Sequence, residues 1–134
     1  MTLTPDQLAR AVAERMLAQE SAGPAWGLEL EDAREGYARA AMTLGADMLN
    51  GHGIGHGGMV FALADSVFAY ACNSRNVRTV AQHASISFIS AAQEGERLVA
   101  EARERAVEGR SGVYDITVTA GDRVDRKSTR LNSS

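Results

Sequence analysis

The sequence contains a single cysteine, Cys72. An internal disulfide is therefore excluded, and a reducing cytoplasm fits. An excess of positive charge is also missing. The formal net charge is -3, which gives no electrostatic case for nucleic acid or an anionic membrane. The opening residues Thr2-Leu3-Thr4-Pro5-Asp6-Gln7 lack the basic region and apolar stretch of a signal peptide. No apolar run reaches the ~20 residues that span a bilayer, and there is no internal repeat. What remains is 134 residues, 45% of them hydrophobic, enough for one domain around a single core.

Thr4-Pro5-Asp6-Gln7 predicts a helix start, with Thr4 as N-cap and Pro5 at the first helical position. Leu8, Val12, Met16 and Leu17 then share a face, and Gly23-Pro24 ends the element. Residues 26–35 and 37–44 alternate with period two around Gly36, which predicts an antiparallel hairpin. Residues 80–89, 97–108 and 113–120 read as three further strands. On the last, Tyr114, Ile116, Val118 and Ala120 share one face, opposite to Val113, Asp115, Thr117 and Thr119.

Between these strand groups lies Gly58–Asn73, a helix apolar on every face. Such a helix belongs in the middle of a fold, and an antiparallel sheet curved around it gives an α+β architecture. Asp65 interrupts its apolar surface. A carboxylate there is costly to bury without partners or a task. The preceding Asn50-Gly51-His52-Gly53-Ile54-Gly55-His56-Gly57-Gly58 lets bare amides approach a ligand at the positive end of the helix dipole. An acid on the helix and an oxyanion-stabilising turn at its start point to acyl transfer, with His52, Gly58 and Ser66 lining the substrate.

Other readings fit less well. Gly53 to Gly58 matches a dinucleotide-binding pattern, but no long buried strand leads into it. His52 and His56 are four apart, yet the glycines between them argue against a helical metal site, and no carboxylate or cysteine nearby completes a set. Ser66 lacks a nucleophile elbow. Cys72 reads as a small core residue rather than an activated thiol. His83 reads as a core or interface histidine. Asp65 itself has a plainer alternative, tying down a neighbouring loop through hydrogen bonds.

Met48 to Gly58 followed by Phe61 to Asn73 resembles the hotdog-fold acyl-CoA thioesterases of the phenylacetate-degradation (PaaI) type. The likeness runs from about Leu28 to Thr119 and includes Gly112-Val113-Tyr114-Asp115-Ile116. It implies a hotdog fold and dimers that pair into tetramers. It also implies hydrolysis of aryl-acyl-CoA, especially hydroxyphenylacetyl-CoA. In those terms Asp65 matches the catalytic acid and Gly57 the residue whose N–H polarises the carbonyl. Asn50 matches a residue that places water or substrate, and His56 the loop histidine. Two departures stand out. Ser90-Ala91 replaces the usual Arg-Pro after Phe88-Ile89, where CoA phosphate contacts are implied. The polar stretch after Gly121 replaces a last apolar strand. The chain is thus expected to divide into a hotdog thioesterase domain, 1–121, and a disordered non-family tail, 122–134, with the last strand missing.

A helix rises ~1.5 Å per residue, so Gly57 and Asp65 stand ~12 Å apart along its axis. Two antiparallel copies can bring Asp65 of one chain to Gly57 of the other. The expected chemistry needs no metal or redox cofactor, and CoA enters as part of the substrate. A non-catalytic acyl-CoA-binding hotdog module is the alternative. No nucleic-acid or membrane partner is expected.

Overall fold

Thr4 starts the first helix, α1 (Pro5–Gln19), through a reciprocal capping box. Its hydroxyl accepts the Gln7 N–H at 3.1 Å, and the Gln7 side chain accepts the Thr4 N–H at 2.9 Å. The structure is a computed structural model and describes residues 2–120 together with the backbone of 126–133. Helix α1 packs through Ala9 and Ala13 onto strand β1 (Glu29–Arg34) and onto the central helix α3 (Gly57–Cys72). A single turn, α2 (Ala22–Ala25), separates α1 from β1 where the sequence predicts only a stop.

Strand β1 pairs antiparallel with β2 (Tyr37–Thr43) around Gly36, whose φ of 69° requires glycine. A bulge between Leu30 and Asp32 shifts the alternation, so Ala33 is buried. The remaining strands are β3 (Ala81–Ser87), β4 (Arg97–Glu108), β5 (Ser111–Ala120) and β6 (Arg126–Ser133). They complete one antiparallel sheet of order β1-β2-β4-β5-β6-β3. The alternation predicted for β4 and β5 holds: Leu98, Ala100, Ala102, Tyr114, Ile116, Val118 and Ala120 are all buried.

Helix α3 lies across this inner face, and Phe68 meets Tyr114 edge-on at 5.4 Å between centroids. Its end is fixed by Ser74, whose buried hydroxyl oxygen accepts the Gly36 N–H at 2.9 Å. Enclosure is one-sided, however. Val60, Leu63, Ala64, Val67, Phe68 and Ala71 are buried, whereas Gly58 and Asp65 are exposed. One sheet covers only one side of a cylinder. Strand β3 is also less covered than its alternation predicts: only Ile86 is half-buried, and the others are exposed. It hangs at the sheet's end, joined through β6 alone.

The expectation of a missing last strand needs correction. Arg126–Ser133 forms β6, inserted between β5 and β3 and paired with both. The expected boundary at residues 121 and 122 lies outside the described residues. Side-chain polarity argues against a strand, but backbone pairing decides the matter. Without β6, the edges of β5 and β3 would present unpaired N–H and C=O groups.

Candidate active site

Asn50 organises the glycine loop. Its Oδ1 accepts the N–H groups of His52 at 2.9 Å and Ile54 at 3.4 Å. Its backbone N–H donates to Ile54 O at 2.8 Å, and its carbonyl accepts the Gly53 N–H at 3.0 Å. The resulting tight loop needs Gly53 at φ 76°. The Asn50 amide nitrogen has no partner among the described residues, so it remains a free donor. Gly55 anchors the loop to the sheet side by donating to Ala92 O at 2.7 Å. A Cβ there would stand 2.8 Å from Leu44 Cδ1, so the approach requires glycine.

His56 then caps α3. Its carbonyl accepts from Met59 at 2.9 Å and Val60 at 3.2 Å, and its Nδ1 accepts the Gly58 N–H at 2.9 Å. Nδ1 therefore carries no proton. A helix start leaves four amides without intrahelical partners. Of these, the N-cap His56 N–H donates to Met48 O at 2.9 Å, His56 itself serves Gly58 and Met59, and the Gly57 N–H alone has no partner among the described residues. A Cβ on Gly58 would stand 3.0 Å from His56 Nδ1, so a side chain there would press on the capping imidazole. The Phe88 ring lies against Gly57, 3.2 Å from where a Cβ would be. A free amide at the positive end of a helix is suited to an oxyanion.

Asp65 lies two turns further along α3 and has no hydrogen bond or ion pair among the described residues. It is exposed in the single chain, yet the apolar helix surface around its base withdraws water. That desolvation raises its carboxyl pKa above the ordinary value. Among the described residues of the single chain, Asp65 therefore ties down no loop. Ser66 is half-buried and donates its hydroxyl proton to Ala62 O at 2.9 Å, leaving only lone pairs for a ligand. Burial above all pushes the Cys72 thiol up to about 12, which suits a core thiol and not a nucleophile.

The structure thus gathers Asn50, His52, His56, Gly57 and Gly58 at one corner. Within a single chain it leaves Asp65 and Ser66 apart from them. His52 contributes only its backbone N–H to the loop, and its exposed side chain is free to face a ligand. His83 is exposed on β3 rather than in the core. Sequence reasoning misses Phe88 as a lining residue. The signal is there, since Phe88-Ile89 is an apolar pair beyond the end of its strand and is 51% and 65% exposed. It also misses Asn73, whose amide ties α3 to the next loop through Ala69 O at 2.9 Å and Thr79 O at 3.0 Å. No group of three or more His, Cys, Asp or Glu side chains suited to a metal occurs among the described residues. No helix among them is long and apolar enough to cross a membrane.

Residues 52–126 match the Thioesterase superfamily. The chain is 41% identical over 106 residues to acyl-coenzyme A thioesterase PaaI of Escherichia coli K12, covering 79% of this chain and 76% of that one. The solved structure of the E. coli PaaI protein from the phenylacetic acid degradation operon superposes with a TM-score of 0.94 at 35% identity, over 97% of this chain and 94% of the other. The TT0310 protein of Thermus thermophilus superposes with a TM-score of 0.79 at 32% identity, over 83% and 93%. This chain belongs to the Thioesterase superfamily and has its hotdog fold. It is a thioesterase.

Proposed function

We propose that the protein hydrolyses acyl-CoA thioesters, with (hydroxy)phenylacetyl-CoA and related aryl-acyl-CoA as substrates, at sites shared between two chains. The observation that carries this reading is the Gly57 amide, the one donor of the first turn left unpartnered among the described residues, on the same helix as an unpartnered Asp65. Their axial separation of ~12 Å exceeds the ~3 Å within which both must approach one carbonyl. An antiparallel second copy removes the difficulty and gives two equal sites. The small residues of the open helix face, Gly58, Ala62 and Ala69, allow that approach. The aryl preference is supported by the Phe88 ring beside Gly57, a flat apolar surface, and by the operon of the E. coli relative.

In the proposed reaction Asp65 accepts a proton from water while the water oxygen attacks the thioester carbon. The carbonyl pair moves onto oxygen, facing the partner's Gly57 N–H. The tetrahedral adduct then collapses, the C–S bond breaks, and protonated Asp65 returns the proton to the leaving sulfur. The products are the free acid and CoA. Asn50 offers its free amide N–H groups to water or to the acyl oxygen. Attack by the Asp65 carboxylate itself, through a mixed anhydride, gives the same products. No metal or redox group enters this scheme. We place the enzyme in the cytoplasm as a homodimer or homotetramer, in keeping with its lone unpaired cysteine.

The test is a hydrolysis assay across aryl- and alkyl-acyl-CoA. Highest kcat/KM on phenylacetyl and hydroxyphenylacetyl thioesters supports the reading. Binding of every thioester without turnover would instead make the protein a binding module.

A further inference from the structure

Asn50 is followed by Gly51, whereas the other asparagines are followed by serine (Asn73, Asn132) or valine (Asn76). An asparagine side-chain amide is an electrophile one peptide away from a nucleophile. Attack of the next backbone nitrogen on Cγ closes a cyclic imide. Three things hold that reaction back in folded chains: a side chain that crowds the nitrogen, a backbone N–H already committed to a hydrogen bond, and a carbonyl that gains no support as charge moves onto it.

The glycine loop removes all three. Gly51 is exposed, and a Cβ there would meet nothing within 4 Å. Its N–H has no partner among the described residues. Asn50 Oδ1 already accepts the His52 N–H at 2.9 Å and the Ile54 N–H at 3.4 Å. Those bonds fold the side chain back over the Gly51 peptide and place two donors on the oxygen where negative charge would develop. Asn73 has the opposite surroundings. It is buried, its Nδ2 donates to Ala69 O and Thr79 O, its Oδ1 accepts the Thr79 N–H at 2.9 Å, and the Ser74 N–H is taken by Ala71 O at 3.2 Å. Asn76 is followed by Val77, whose branched side chain crowds the nitrogen.

We propose that Asn50-Gly51 is a self-modification site, at which the folded protein converts Asn50 to aspartate and isoaspartate. The Gly51 nitrogen loses its proton and bonds to Asn50 Cγ, and the carbonyl pair moves onto Oδ1. The adduct collapses, the Cγ–Nδ2 bond breaks, and Nδ2 leaves with the proton as ammonia. Water then opens the imide. Breaking the new Cγ–N bond gives aspartate at position 50. Breaking the original backbone C–N bond gives isoaspartate, which carries the chain through the side-chain carbon. Either product replaces the free Asn50 amide donors with a carboxylate that only accepts, and isoaspartate also lengthens the tight loop. The modification stands apart from the thioesterase reading, but the loss of activity that follows from it rests on that reading.

The test ages the full chain in mildly alkaline buffer beside Gly51→Ala and a free peptide of residues 48–54. Peptide mass mapping and enzymatic isoaspartate methylation follow each asparagine, and hydrolysis of phenylacetyl-CoA is measured relative to each protein's starting rate. Asn50 should convert on the timescale of the peptide, faster at higher pH, with Asn73 and Asn76 intact in the same sample. Gly51 does not have positive φ and has open space around it, so alanine fits the loop. Gly51→Ala should convert about tenfold more slowly, the effect of ~1.4 kcal/mol on the barrier. Hydrolysis should decay in step with the converted fraction. Asn50 intact when the peptide is fully converted would overturn the proposal. So would equal conversion at Asn73, or an equal rate in Gly51→Ala. Conversion of Asn50 with undiminished hydrolysis would uphold the modification site and remove Asn50 from the proposed reaction.

Discussion

At the scale of single residues, the site depends on what its groups are not doing. Asp65 has no partner among the described residues, and the Gly57 amide is left over after His56 has served Gly58 and Met59. Replacing Asp65 with Asn should lower kcat by about 10²–10⁴-fold while acyl-CoA still binds, checked by steady-state kinetics and calorimetry. The raised pKa of Asp65 has two further consequences. In the proposed reaction the working base is the carboxylate, so kcat/KM should fall as pH drops through a value above the ordinary carboxylate pKa. The sign for stability is opposite to that of a salt-bridged acid. A carboxyl whose folded pKa exceeds its unfolded pKa binds more protons when folded, so ionisation costs stability as pH rises through that window. Asp65→Asn should therefore melt above the parent at neutral pH. The difference should vanish below the ordinary carboxylate range. A lower melting temperature for the variant at neutral pH would mean that the ionised side chain is stabilised by contacts.

At the scale of elements, much is legible because period and chemistry agree. Thr4-Pro5 announces α1, and the alternation of Leu98, Ala100 and Ala102 with charged neighbours announces β4. The loop and α3 are legible from the jump between glycine and unbroken apolar residues. Two features are not. The accounting of amides around His56 depends on a ring orientation that no periodicity encodes. Strand β6 escapes the alternation rule because that rule weighs side chains, and Arg126–Ser133 has no apolar alternation. Its position is set instead by two strand edges that need backbone partners. Hydrogen exchange separates these views. Amides of β6 that pair with β5 and β3 should be protected well above random-coil rates. Exchange at random-coil rates across 126–133, with β5 protected, would restore the reading of a disordered tail.

At the scale of the whole molecule, a single chain leaves the helix face around Asp65 open and every residue of β3 but Ile86 exposed. It also leaves Val80, Phe88 and Ile89 more than half exposed. In the proposed shared site a second copy supplies what one chain lacks, which accounts for Asp65 and the Gly57 amide standing two turns apart on one helix. The most direct measurement of this claim mixes two inactive proteins, Asp65→Asn and Gly57→Val, under conditions where subunits exchange. A mixed dimer holds one site with both defects and one site with neither. Random pairing of equal amounts should therefore restore about a quarter of the parental hydrolysis rate. No recovery, with exchange demonstrated by labelled subunits, would contradict a site built from Asp65 of one chain and Gly57 of the other.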